Sequence, residues 1–257
     1  MGIITDIDCV VDGAVARVTI NRPHVRNAMT LTMWRDMATI FQELGSNHDV
    51  RTIVLSGSAS DFSVGADVSE FGDVRRDACE SKTYEIAVDA CSDAIANVPQ
   101  PVVAVIQGYC LGGGCHLSMA CDFRFAHPTA ILGIPAANLS IVYGVRSTRR
   151  LLSLVGLTNA KRILYAAERV GALEALRIGW IDRVSDEPMK DAESFAAQVA
   201  QKAPLSLAGA KYILNEAAMG SDGSLAQAMI DQASDSEDYR EARAAFAEKR
   251  RPEFKRR

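Results

Sequence analysis

The stretch 101–122, PVVAVIQGYCLGGGCHLSMACD, limits the possible folds of this chain more than any other part of it. Val102 to Ile106 is a continuous apolar run rich in β-branched residues, which predicts a strand buried on both faces. The run stops at Gln107-Gly108, and the chain turns through Gly112-Gly113-Gly114 into a second apolar run, 115–120, that suits a buried helix. A strand that ends in a glycine turn and opens a helix leaves free backbone N–H groups at the helix start, where the helix dipole adds partial positive charge. Such a device holds an anion or an oxyanion. A tight turn that lets helix and strand pack closely would look the same, and this stretch alone leaves both readings open.

Around it, 7–11 and 14–20 read as strands joined by an Asp12-Gly13 hairpin, ended by Asn21-Arg22-Pro23. Thr30 or Thr32 can cap a helix reaching about Leu44, with Met33, Met37, Ile40, Phe41 and Leu44 on one face. Residues 51–56 predict another strand, followed by the loop GSASDFSVGADVSEF at 57–71. Residues 82–97 predict a helix closed by Pro99 and Pro101. The strand-to-glycine-loop unit therefore occurs twice, at 56–67 and at 106–113. Residues 122–126 read as a short strand and 130–144 as loop-like. From 147 the pattern is helical: 148–155, 158–168, 173–178, 189–203, 204–219, 224–232 and 237–251. An α/β core over 1–200 with a helical region over 201–257 is the expected organisation.

Several function classes fall away on composition. The formal net charge is −4, which offers nucleic acid no attraction. No apolar run approaches the roughly 18 residues of a membrane span, and the acidic start MGIITDIDCVVDG lacks the basic region of a signal peptide. The cysteines at 9, 79, 91, 110, 115 and 121 form no CxxC pair, so reduced thiols in a cytoplasmic protein are expected. Histidines at 24, 48, 116 and 127 are too scattered for a metal site, and none is expected. GLGGGCH also lacks the GxGxxG spacing of a dinucleotide site.

Four stretches together resemble the crotonase superfamily, which includes the enoyl-CoA hydratases and isomerases. They are NRPHVRNAMT at 21–30, FSVGADVSEF at 62–71, QGYCLGGGCHLSMACDFRFA at 107–126 and AAFAEKRRPEF at 244–254. The resemblance spans essentially the whole chain and implies a crotonase-like α/β fold, a spiral of ββα units with C-terminal trimerisation helices. It implies a homotrimer or dimer of trimers, and an acyl-CoA substrate with no cofactor beyond the CoA of the thioester. It also implies that the thioester oxygen sits between two backbone N–H groups, which by position belong to Val64 and Gly113. CoA would lie against Ala28, Gly65, Ala66 and Asp67, while Phe246 and Lys249 in the tail would reach the CoA nucleotide of a neighbouring subunit.

The resemblance breaks at the chemistry. A hydratase of this family holds its water with two glutamates, which act as base and acid. The matching positions here are His116 and Ala136. His116 is either a neutral proton acceptor, its pKa lowered by the helix dipole, or a polar filler hydrogen-bonded in the first helical turn. The stretch IPAANLSIVYGVRSTRRL at 134–151 resembles a branch containing the methylmalonyl-CoA decarboxylases, which places a tyrosine where Tyr143 stands. That branch has a histidine where this chain has Ala66. Arg146, Arg149 and Arg150 either bind an acyl carboxylate or make ordinary surface and structural pairs. Three readings follow: enolate chemistry on an acyl-CoA, with His116 and Tyr143 as proton-transfer candidates; decarboxylation of a malonyl-type thioester; and acyl-CoA binding without turnover.

Overall fold

Apolar alternation in VARVTI turns Ala16, Val18 and Ile20 inward and makes Val15–Ile20 a strand, β2, that pairs antiparallel with Ile7–Asp12, β1. The hairpin turn is Gly13-Ala14, one residue later than the Asp12-Gly13 read from sequence, because Asp12 still pairs with Val15. The computed structural model describes residues 6–257. After β2 comes α1, Leu31–Ser46, whose Thr30 side chain accepts a hydrogen bond from the Met33 N–H at 3.2 Å. Its apolar face buries Met33, Trp34, Met37, Phe41 and Leu44. Strand β3, Thr52–Gly57, then leads into the first loop, a short helix α2, Phe71–Val74, and the long helix α3, Ala78–Asn97. Helix α3 begins before the expected residue 82 because Asp77 caps it, accepting from the Glu80 N–H at 2.8 Å.

Strand β4, Val102–Ile106, is buried at every residue, as its β-branched run requires. It enters the second loop, a short strand β5, Tyr109–Leu111, and helix α4, Gly113–Ala120. Next come β6, Phe123–Ala126, β7, Ile131–Gly133, and α5, Val145–Ala166, which is interrupted at Gly156 with φ +72°. The two helices read from sequence at 148–155 and 158–168 meet at that glycine. The chain continues through β8, Arg169–Gly171, α6, Ala172–Arg177, β9, Arg183–Val184, and α7, Pro188–Val199. It closes with α8, Pro204–Met219, α9, Ala226–Asp235, and α10, Glu237–Glu248.

One sheet has the order β1-β2-β3-β4-β6-β9 and is parallel beyond the first pair; a second has the order β5-β7-β8. Helices α1 and α3 pack together and fill the main core with Trp34, Tyr84, Phe41 and Ile95. Helix α7 covers a smaller cluster, where the Phe195 ring lies 4.8 Å from Phe123 and 5.6 Å from Phe125. Cys91, Cys110, Cys115 and Cys121 are buried thiols, while Cys9 and Cys79 are exposed.

The C-terminal helices are locked to the core by charge. Lys211 on α8 donates to Asp122 at 2.8 Å and to the Gln100 carbonyl at 3.0 Å, and the same Asp122 oxygen accepts from the Val102 N–H at 2.7 Å. The chain end folds back on α10, where Asp238 accepts from the N–H groups of Lys255 at 2.6 Å and Arg256 at 2.9 Å. Among the described residues no helix is long and apolar enough to cross a membrane.

Candidate active site

The two glycine loops are fastened to each other by backbone. The Phe62 N–H donates to Gln107 at 2.9 Å, Ser63 to Tyr109 at 3.1 Å, and Leu111 back to Ser63 at 2.9 Å. Gly65 stands at φ +90°, and a side chain there would come within 2.6 Å of the Gly113 nitrogen. Glycine is required because one main chain lies directly on another.

This contact decides which N–H groups are free. Met29 donates to the Gly65 carbonyl at 2.8 Å and accepts from the Asp67 N–H at 2.9 Å. In a parallel pairing of this kind the residue between those two partners turns its own N–H and C=O the other way. That residue is Ala66, paired with Met29, and its nitrogen would lie 3.3 Å from a Cβ built on Gly113. Gly113 is the first residue of α4, where an N–H has no intrahelical acceptor. Among the described residues neither the Ala66 nor the Gly113 N–H has a hydrogen-bond partner. Val64, the donor expected from sequence, instead gives its N–H to the Arg26 carbonyl at 3.2 Å. A donor spent on the segment between β2 and α1 is not aimed at a ligand, so the free donors where the loops touch are Ala66 and Gly113.

His116 lies one helical turn after Gly113 and is 4% exposed. Its Nε2 shares a 2.8 Å hydrogen bond with the Ser92 hydroxyl of α3, which also accepts from Arg150. Burial, with the Arg150 charge adding to it, pushes the imidazole pKa down to about 3. Of the two sequence readings, the neutral acceptor relied on the helix dipole, whereas desolvation and Arg150 are what favour the neutral ring here. The 4.0 Å approach of Asp89 to Nε2 is therefore a contact with a neutral ring and not an ion pair.

That burial predicts a pH signature. The unfolded chain takes up a proton at His116 below about 6.5, whereas the folded chain does so only near 3. Its contribution to stability is complete above about 6.5 and is lost as pH falls, by about 1.4 kcal/mol per pH unit. Urea unfolding of the native chain and of His116→Gln at several values between pH 4 and 7 checks this. The native curve is expected to fall more steeply toward acid, and parallel curves would contradict a buried neutral ring.

Tyr143 is half-buried, and its hydroxyl donates to the Gly112 carbonyl at 3.2 Å, beside the free Gly113 N–H. Its ring centre lies 6.1 Å from that of His116. Desolvation holds the phenol well above its usual range, so it remains a donor. Ala136, Ile141, Val142, Tyr143 and Leu164, together with Lys161, line a mostly apolar groove of about 390 Å³. The three arginines after Tyr143 are engaged elsewhere. Arg146 pairs with Asp93, Arg150 with Asp93 at 3.2 Å, and Arg149 donates to the Met219 carbonyl at 2.7 Å.

The other sequence candidates divide. Ala28 is buried, and its carbonyl accepts from Arg22 at 2.8 Å; the same arginine holds the Asp67 carboxylate at 3.0 Å. Asp67 thus braces the first loop. Phe246 is 88% exposed, and Lys249 closes α10 in the left-handed conformation. Among the described residues no hydrogen bond or ion pair joins either side chain to the two loops. The sequence reading placed a helix at 82–97 but named no site residue on α3. That helix brings Asp89, Ser92 and Asp93 toward α4 and α5, and their spacing of about one helical turn was the available signal.

The enoyl-CoA hydratase/isomerase family model matches residues 11–257. The chain belongs to that family. A Bacillus subtilis protein bearing the enoyl-CoA hydratase/isomerase name, YngF, is 36% identical, with 94% of each chain covered. A short-chain-enoyl-CoA hydratase of Clostridium acetobutylicum is 34% identical, again over 94% of each. Among solved structures, an enoyl-CoA hydratase/carnithine racemase from Magnetospirillum magneticum superposes with a TM-score of 0.91 at 31% identity, covering 99% of this chain and 97% of that one. The fold is thus the crotonase-like fold of the enoyl-CoA hydratase/isomerase family.

Proposed function

We propose that this chain acts on an acyl-CoA thioester by stabilising its enolate between the N–H groups of Ala66 and Gly113. The observation that carries this reading is the convergence of two unpartnered backbone donors where the loops touch. Donors that meet an oxyanion in a preorganised, water-poor site are worth roughly 3 kcal/mol each in the transition state. The CoA-ester names of the relatives support the ligand class. His116 and Ala136 stand where paired glutamates would hold water, so the favoured step is proton transfer at carbon, and hydration is expected to be slow.

Decarboxylation gains little support. A malonyl-type substrate needs a cation for its free carboxylate; Arg146 and Arg150 share Asp93, which leaves Lys161 as the cation lining the groove beside Tyr143. Most of that lining is apolar, which suits an uncharged acyl chain. Assembly as a homotrimer or dimer of trimers is part of this proposal, supported by the exposed apolar side chains Ile213, Leu214, Ile230 and Phe246 on the last helices. Native mass measurement tests it.

The direct test of function is a panel of CoA thioesters incubated with the protein in D2O, followed by mass spectrometry for binding, deuterium uptake and new products. Uptake at the carbon next to the thioester is expected. Tight binding with no uptake on any ester would leave an acyl-CoA binding protein, and rapid hydration of crotonyl-CoA would overturn the proton-transfer reading.

A further inference from the structure

Three carboxylates, Glu85, Asp89 and Asp93, lie about one turn apart along α3 and face the site or the helices around it. Two are committed. Glu85 is held by Arg75 at 2.9 Å, and Asp93 by Arg146 and Arg150. Asp89 differs. It accepts no hydrogen bond from any described residue, and its Oδ1 is a buried oxygen without a partner. Its nearest cation, the Arg146 Nε, is 3.9 Å from the other oxygen, too far for a hydrogen bond. A buried carboxylate oxygen left unsatisfied is costly and calls for a reason.

Its position supplies one. Oδ1 lies 4.0 Å from His116 Nε2, one helical turn along α4 from the Gly113 donor. The side chain is 33% exposed, so one side remains open to an incoming molecule. His116 itself is poorly suited to move a proton, because its Nε2 is occupied by Ser92 and the ring resists protonation. We propose that Asp89 is the proton-transfer group of this site, with His116 and Ser92 holding its surroundings.

This inference rests on the enolate reading and names the base that reading lacks. Asp89 takes the proton from the carbon next to the thioester carbonyl. The C–H electron pair becomes the new carbon–carbon π bond, and the carbonyl π pair moves onto the oxygen between Ala66 and Gly113. In D2O the proton on Asp89 is replaced by a solvent deuteron, which is delivered to the same carbon in exchange; in isomerisation the carboxyl delivers to the γ-carbon of an unsaturated chain. Burial raises the Asp89 pKa, and Asp93 adds to the rise while Arg146 and Arg150 oppose it. The groups facing Asp89 are Glu85 and Asp93 on α3, His116 on α4, and Arg146 and Arg150 on α5. A base whose pKa is moved toward the working pH gains efficiency.

The test is deuterium uptake from D2O into butyryl-CoA, measured across pH 4 to 9 alongside thioester affinity. Asp89→Asn keeps the shape and is expected to lose at least about 100-fold in exchange rate with affinity unchanged. The native rate is expected to rise with pH through an apparent pKa above the ordinary aspartate range, and the variant to lose that limb. Asp89→Ala is expected to recover exchange on addition of formate, and Glu85→Gln to stay within a few-fold of native. Native-like exchange and pH profile in Asp89→Asn, or loss following Glu85→Gln alone, would overturn the assignment. If removing the Ala66 N–H abolishes exchange while Asp89→Asn does not, only this inference falls. If the native chain exchanges no thioester, it falls together with the enolate reading.

Discussion

Ala66→Pro is expected to slow deuterium exchange into an acyl-CoA by roughly 100- to 1000-fold while the protein still folds and still binds the thioester. Proline deletes a single N–H. At this position that N–H makes no hydrogen bond within the fold, since Met29 bonds to the residues on either side of it. The residue before it is Gly65, whose freedom at φ +90° lets it accommodate a following proline ring. The substitution therefore removes a donor from the transition state without orphaning an acceptor in the native state. Ala66→Gly retains the N–H and serves as the control, with exchange close to native. Exchange kinetics, thioester affinity and circular dichroism read the outcome. Full activity in Ala66→Pro would show that the oxyanion lies elsewhere.

The largest stability effect is expected at Asp122. Its carboxylate joins the start of β4 to α8 by accepting from both Val102 and Lys211. The Lys211 side chain is only 7% exposed, so removing its partner strands a buried ammonium. Breaking such a pair from one side costs about 3–5 kcal/mol. Asp122→Ala should therefore unfold at a markedly lower urea concentration. Asp122→Leu combined with Lys211→Met should recover part of the loss, since no charge is left behind, although Val102 still lacks its acceptor. A loss below about 1 kcal/mol in the single variant would mean that the pair is open to water.

Much of the core could be read from the sequence because its signals are local. The β-branched run at 102–106 forms β4 over the same residues, and Thr30 with the apolar stripe from Met33 gives α1 to within a few residues. The second sheet could not be read this way. Strands β5, β7 and β8 have three residues each, too short for alternation to show, and they form only because distant loops meet. The site divides along the same line. Gly113 follows from the glycine triplet and the helix after it. Choosing between Val64 and Ala66 depends on a pairing with Met29, far back in the chain, and no property of the loop itself reveals it. Asp89 was hidden because an acid on the polar face of a helix looks solvated until α4 and α5 are laid against it.

The two loops are held together chiefly through main-chain atoms, from Phe62 to Gln107 and from Ser63 to Tyr109 and Leu111, with the Asp61 carboxylate accepting from the Tyr109 N–H at 2.8 Å. Apart from Asp61 and the glycines where the chains touch, such a clamp draws nothing from side chains, and those of residues 116, 136 and 89 take no part in it. Residues 116, 136 and 89 can change by single substitutions without moving the two donors. A scaffold of this kind can exchange the groups around two fixed backbone donors over evolutionary time while the donors stay in place, which makes it a good starting point for redesign.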